Sequence, residues 1–338
     1  MPTVTGGRAT ETIATERLAR LAREAVDRLR LDLRGAVVLT EAATGAYAVT
    51  PVLAALAGAA EVHAVTRDSR HGAVADVVDE THRLAERLGV RSSITITTDR
   101  SDELFRRADV VTNSGHLRPI DAATVAAMRP GAVLPLMFEA WELGAGRTDL
   151  DLGALQARGV EVAGTNERHP DIAVFGYLGL LAAVQLADAG VSAHLGQLAL
   201  WCDNPFLEPM AHGLRGAGAT VRSADTLGEL LAGPRPDALV VAMRPRDTAV
   251  IDGPVAALVA EAWPGVTVTQ FWGDIDRAAC EGLRVWPEQP PAKGHMGVLL
   301  SRLGPEPVVR LQAGGLKVAQ VLRIPSRRRT RDDLDYLT

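Results

Sequence analysis

"EAATGAYAVTP", residues Glu41–Pro51, lies between two apolar runs, "AVVLT" (36–40) and "VLAALAG" (52–58). An apolar strand, a small-residue turn and an apolar helix in that order are the setting of the Gly-x-Gly-x-x-Gly loop that cradles a dinucleotide pyrophosphate. Here only Gly45 of the three glycines is present. With Gly45 as the second glycine, Ala43 takes the first position and Ala48 the third. Alanine is tolerated at the third, which serves helix packing, whereas the first shapes a tight turn. The loop residues Ala43, Thr44, Gly45, Ala46 and Tyr47 are therefore expected to face a cofactor, with Thr44, Tyr47 and Thr50 offering hydroxyls.

Outward from this loop, strand and helix patterns alternate. Apolar runs at 61–66, 92–98, 109–114, 132–138 and 160–165 read as further strands, with amphipathic segments between them. That alternation predicts a doubly wound parallel sheet, and six strands make a full dinucleotide-binding domain. Ahead of it, Leu18, Leu21, Ala25 and Leu29 form one stripe of a leading helix. An apolar helix over 171–189 ends at "DAGVSAHLGQ", and a second strand–helix series follows through 198–203, 220–224, 237–243, 266–272 and 283–286. The predicted fold class is α/β, with two doubly wound Rossmann-like domains, the second smaller. The expected boundaries are a helical segment 1–32, a dinucleotide domain 33–192, a second α/β domain 193–325 and a solvated, charged tail 326–338.

Composition narrows the classes. The 338 residues are 47% apolar and 23% charged, which fits a folded globule of two domains. A net charge of −5 gives no electrostatic case for nucleic acid. Cys202 and Cys280 stand far apart without metal spacing, so reduced thiols and no metal are expected. No signal peptide or 20-residue apolar span is legible, so the expected setting is cytoplasmic, with no membrane partner.

Ligands of open parallel sheets bind beyond the strands' carboxyl ends, where strand order reverses. After the second strand comes "TRDSR", with Thr66, Arg67, Asp68 and Arg70 at the ribose-reading distance from Gly45. Arginine there suits the 2′-phosphate of NADP, while Asp68 keeps NAD open. After the fourth strand come Asn113, Ser114, Gly115 and His116, the last placed to relay a proton. Glu139 and Glu142 flank Trp141 after the fifth. After the sixth, "GTNERHPDIAVFG" gathers Asn166, Glu167, Arg168, His169 and Asp171. Arg168 suits a substrate carboxylate and His169 a proton, whereas Asp171 reads as the cap of the apolar helix. In the second half, Asp203 and Asn204 close a strand, and "PPAKGHMG" presents Lys293 and His295 on a long loop.

The stretch 109–134, with "M-x-P-G-A-V-L" at Met128–Leu134, resembles the D-2-hydroxyacid dehydrogenases and related Rossmann-domain enzymes. The resemblance implies a nicotinamide-dinucleotide domain over about residues 33–190, with Asn113, Ser114 and Gly115 near the ribose and nicotinamide. The chain departs from that family at "MFEAWEL" (137–143), which replaces its Arg-Gly, and in the reduced glycine fingerprint. The family's catalytic residues have no secure counterparts here. Its nucleotide domain is inserted within the substrate domain, whereas here it is expected to come first. The reading is an NAD(P)-dependent oxidoreductase, a homodimer, acting on a small carbonyl, imine or 2-oxo acid between its two domains. A non-redox lyase, cyclase or isomerase on the same fold, and a non-catalytic binding protein, stay open beside it.

Overall fold

The structure is a computed structural model describing residues 5–145 and 149–338, with side chains described from residue 14 onward. Residues 1–4 of the expected N-terminal segment lie outside the described residues. The chain groups into two units: unit 1 is residues 1–141, 148–172 and 304–338, and unit 2 is residues 142–147 and 173–303.

Unit 1 opens with α1 (Thr5–Leu29), then β1 (Val37–Glu41), α2 (Val49–Leu56), β2 (Glu61–Val65) and α3 (Val74–Leu88). It continues with β3 (Ile94–Thr97), α4 (Asp102–Arg107), β4 (Val110–Val111), α5 (Ala122–Ala127), β5 (Val133–Pro135), α6 (Leu152–Arg158) and β6 (Glu161–Ala163). Its sheet runs β3-β2-β1-β4-β5-β6, parallel throughout, so strand order reverses between β1 and β4. The local causes are conventional. Val38 and Leu39 of β1 are fully buried, each contributing roughly 1.5–3 kcal/mol of transfer free energy. Asp121 and Asp151 accept the backbone N–H of Thr124 and Ala154, which caps α5 and α6. The strand read over 109–114 is only two residues long, although the Thr112 N–H still donates to the Leu39 carbonyl beyond it.

Unit 2 follows with α7 (Leu178–Asp188), β7 (Gln197–Trp201), α8 (Leu207–Gly216), β8 (Thr220–Ala224) and α9 (Leu227–Leu231). Then come β9 (Ala238–Ala242), α10 (Gly253–Ala262), β10 (Thr267–Trp272) and β11 (Arg284–Trp286). This smaller sheet has five parallel strands in the order β11-β10-β9-β7-β8. Around it pack Trp201, Leu239, Val241, Val259, Trp263 and Val268. The chain then returns to unit 1 as α11 (Pro305–Arg323) and α12 (Arg331–Leu334).

Two expectations about organisation change. First, residues 304–338 belong to unit 1, not to a domain 193–325 plus a tail, so unit 2 is an insertion. The reason is α11, whose apolar face lies along α1, α2 and β5 of unit 1. Gly314 and Gly315 permit the approach: a Cβ on Gly315 would stand 2.0 Å from the Met137 sulfur. The stripe Leu18, Leu21, Ala25 and Leu29 of α1 is buried within the same unit. Second, residues 326–338 are largely exposed, as expected, but docked rather than frayed. Thr330 and Asp333 form a capping box, Arg329 pairs with Glu161, and Leu337 bridges Thr165 antiparallel to it. Among the described residues, no helix is long and apolar enough to cross a membrane. Both cysteines are free and buried.

Candidate functional site

The exits of β1 and β4 meet at the reversal of strand order in unit 1. Buried Thr112 donates from its hydroxyl to Thr40 (2.9 Å) and shares a 2.7 Å bond with Ser114. Glu41, the last residue of β1, accepts the backbone N–H of His116 on Oε2 at 2.8 Å. Arg118 pairs through Nη1 with Asp149 at 2.5 Å. A Cβ on Gly115 would lie 3.4 Å from Glu41 Oε2 and 4.0 Å from Arg118 Nη2, so both charges border one small space. Three buried polar atoms here have no partner among the described residues, His116 Nδ1, Arg118 Nε and Asp149 Oδ1, and Thr66 Oγ1 at the β2 exit is unpartnered too. Unpartnered buried polar atoms are costly, and their gathering at one place suits a site completed by water or a ligand. Tyr47 adds a hydroxyl whose pKa is pushed up to about 12 by burial and, secondarily, by the charge of Glu41.

The loop of Ala43, Thr44, Gly45 and Ala46 is partly as expected. Gly45 has φ +62°, with open space where a Cβ would project. A left-handed conformation of this kind favours glycine. Its N–H, however, donates to Glu80 of α3 at 2.7 Å. A carboxylate thus occupies one of the donors a pyrophosphate would use. The 66–72 turn folds against this loop, since a Cβ on Gly72 would stand 2.5 Å from the Thr44 methyl. Asp68 accepts the N–H of Val74 and so fixes the start of α3 (2.8 Å), and Arg70 reaches His71 (3.1 Å). Arg67 is exposed and has no hydrogen-bond or ion-pair partner among the described residues. Asn113 is buried and holds the β5 exit, accepting the N–H of Met137 at 2.8 Å.

The exits of β5 and β6 form a second polar cluster, tied up internally. Glu139 is fully buried. Arg168 donates to it twice, from Nε at 3.1 Å and from Nη2 at 2.7 Å, and Trp141 Nε1 donates at 2.7 Å. This pairing raises the pKa of the Arg168 guanidinium, and it makes Arg168 a partner of Glu139 rather than the open substrate anchor expected from sequence. His169 stacks on Tyr336 at 4.0 Å between ring centroids and accepts the Asp171 N–H on Nδ1. The neutral ring therefore carries its proton on Nε2. Asp171 does not cap the apolar helix. Its carboxylate accepts the Tyr336 hydroxyl at 2.8 Å, and α7 starts later, at Leu178. Burial, then this hydrogen bond, push the Tyr336 pKa up to about 12. Lys317 of α11 lies 5.1 Å from the Tyr336 ring centre, and burial pushes its pKa down.

Lys293 and His295 belong to unit 2. Both are exposed. Lys293 Nζ reaches the Asp247 carbonyl at 3.4 Å, and His295 Nδ1 lies 3.0 Å from the Lys293 carbonyl. Also in unit 2, strand order reverses between β7 and β9. There Asp203 accepts the Arg244 N–H and pairs with Arg246, while Asn204 donates to the Ala242 carbonyl at 2.6 Å. Asn204 accepts the Phe206 N–H one turn ahead of α8, which begins at Leu207 rather than beside Pro205. No glycine stands in the β7 exit "CDNPF".

Sequence reading missed Glu41, Glu80, Arg118, Asp149, Lys317 and Tyr336. Glu41 had a visible signal, an acid directly after an apolar strand run. Arg118 stands two residues after His116 in the same exit turn, and the others come from distant elements that only the fold brings together.

No protein-family model matches the sequence, and no curated protein matches it. Solved structures do share its fold. A dipicolinate synthase from Bacillus halodurans is 13% identical, with a TM-score of 0.52, over 87% of this chain and 100% of that one. A dipicolinate synthase from Bacillus subtilis is 11% identical, with a TM-score of 0.50, over 87% and 97%. A D-lactate dehydrogenase from Treponema pallidum is 12% identical, with a TM-score of 0.47, over 85% and 96%. At these identities the likeness is one of fold, two Rossmann-like parallel sheets of six and five strands.

Proposed function

We propose that the protein is an NAD(P)-linked oxidoreductase of small carbonyl, imine or 2-oxo acid substrates, and that its chemistry takes place at the β1/β4 reversal of unit 1. The observation that carries this reading is the convergence of the Glu41 carboxylate and the Arg118 guanidinium on the space beside Gly115, with His116 next in the chain and bonded to Glu41 through its backbone N–H. A carboxylate and an imidazole supply acid–base chemistry, and a guanidinium supplies an anchor. Asn113, Ser114 and Gly115 line the same exit. Exposed Arg67 at the ribose-reading position supports NADP ahead of NAD. The sheet order of unit 1 is that of the dinucleotide-binding domains. The cofactor would supply the hydride, and this chain's residues would orient the substrate and exchange its proton.

A second reading is favoured by one specific contact. With Glu80 on the Gly45 N–H and Glu41 beside the loop, a diphosphate meets two carboxylates. Unit 2 is also the inserted unit, the place that the resembled dehydrogenases give to their nucleotide domain, yet its β7 exit lacks the glycines. Both points favour a non-redox acid–base enzyme, a lyase, cyclase or isomerase, using the same Glu41–His116 pair. Thermal-shift titration with NADP, NAD and AMP separates the readings. Under the first, NADP raises the melting temperature, Arg67→Ala weakens NADP more than NAD, and Glu80→Ala tightens both by freeing the Gly45 donor. If no dinucleotide moves the transition, or a bound one stays unreduced through turnover, the second reading stands. A homodimer is proposed as the assembly, and a mass measurement in solution checks it.

A further inference from the structure

We infer that the β1/β4 site takes an α-amino or α-imino acid as its zwitterion, with the ammonium or iminium group at Glu41 and the carboxylate at Arg118. This rests on the proposed reading of that site as the reaction site, and it selects the imine–amine class from the three substrate classes given there.

Two opposite charges frame the gap, yet they are not paired with each other. Glu41 Oε2 is held by the His116 N–H, and its Oε1 has no partner among the described residues. Arg118 uses Nη1 on Asp149, while Nη2 faces the gap and Nε is buried without a partner. Glycine at residue 115 leaves the space between the two groups unfilled: a methyl there would take it up in ordinary contact, 3.4 Å from Glu41 Oε2 and 4.0 Å from Arg118 Nη2. A ligand spanning it therefore meets a carboxylate at one end and a guanidinium at the other. An α-amino acid carries its opposite charges at that short spacing and satisfies both ends with charge-assisted hydrogen bonds. A 2-oxo acid satisfies Arg118 alone and turns an electron-rich carbonyl toward Glu41. A simple amine satisfies Glu41 alone and leaves Arg118 Nη2 without an acceptor beyond the Asp149 pair on Nη1.

The test is calorimetric and thermal-shift titration of the full chain, with and without NADP. The probes are the standard L-amino acids and D-alanine, the N-acetyl and amide derivatives of those that bind, and pyruvate as a carboxylate-only probe. The expected result is that at least one amino acid binds, while its N-acetyl and amide derivatives and pyruvate bind at least about tenfold more weakly. Glu41→Gln and Arg118→Lys each weaken it by at least about tenfold. Gly115→Ala abolishes binding while the unliganded melting temperature stays near wild type, which separates blocked binding from misfolding. Pyruvate binding as tightly as any amino acid, or an affinity unchanged by Glu41→Gln, overturns the inference. So does the absence of any amino-acid binding in both series. The two readings fail separately: amino-acid binding with no dinucleotide effect removes the oxidoreductase reading alone, and dinucleotide binding with no amino-acid binding removes this one alone.

Discussion

Arg168→Ala tests whether the β6-exit arginine is committed to the fold. Glu139 is fully buried, and Arg168 donates to its carboxylate twice, beside Trp141 Nε1. Removing one partner of a buried ion pair costs about 3–5 kcal/mol, because the remaining buried charge loses that partner's compensation. The Arg168 side chain is 53% exposed, so water can replace part of the guanidinium and the loss falls at the low end. The expected destabilisation is about 3 kcal/mol, or a melting temperature about 6–12 °C lower. Glu139→Gln alone removes the buried charge and leaves Arg168 half in solvent, so it costs about 1–2 kcal/mol. The double variant Arg168→Ala/Glu139→Gln is expected to be more stable than Arg168→Ala. The assay is urea unfolding followed by circular dichroism and tryptophan fluorescence together, since a chain of two units need not unfold in one step. If Arg168→Ala stays within about 0.5 kcal/mol of wild type, the ion pair is not structural and Arg168 is again open to anchor a substrate.

The remaining expectations concern the docked C-terminal segment and the nucleotide loop. Tyr336 keeps its proton from 10.0, its ordinary pKa, up to about 12 in the folded chain. Its contribution to stability is therefore full below the lower value and is lost as pH rises through the upper one. Melting curves across that window are expected to fall more steeply for wild type than for Tyr336→Phe, and parallel curves would remove the Tyr336–Asp171 bond from the account. Gly164→Ala places a methyl 2.3 Å from the Ala140 nitrogen and 2.4 Å from the Thr338 hydroxyl, so residues 335–338 are displaced. Hydrogen exchange at Gly164 and Asn166 should then rise, and unchanged protection there would refute the docking. Glu80→Ala is expected to strengthen dinucleotide binding without lowering the melting temperature, because Glu80 lies on the half-exposed face of α3. Weaker binding would show that Glu80 shapes the loop instead of competing with phosphate.

Much of the fold was legible because its causes are local. Continuous apolar runs such as "VVLTE" and "ALVVA", helix caps such as Asp121, and the left-handed glycines Gly89 and Gly159 that end α3 and α6 need no distant partner to be read. The exits at 43–48, 66–70 and 113–116 were legible for the same reason, as turns after strands. Arg168 and His169 were found as residues but not in their bonding, because Glu139 and Tyr336 reach them across 29 and 167 positions of chain (168 − 139; 336 − 169). The tail "SRRRTRDDLDYLT" reads as solvated by composition. It docks because Tyr336 finds His169 and Asp171, and because Gly164 and Thr338 exchange backbone hydrogen bonds.

For "EAATGAYAVTP", sequence alone determined a strand, a small-residue turn at Gly45 and a helix, since these follow from local sterics and apolar pattern. The tertiary structure decided what that turn faces: Glu80 on its open N–H, and Glu41 joined to His116 across the strand-order reversal. Electrostatic surroundings depend on distance in space, and only the packed sheet sets those distances.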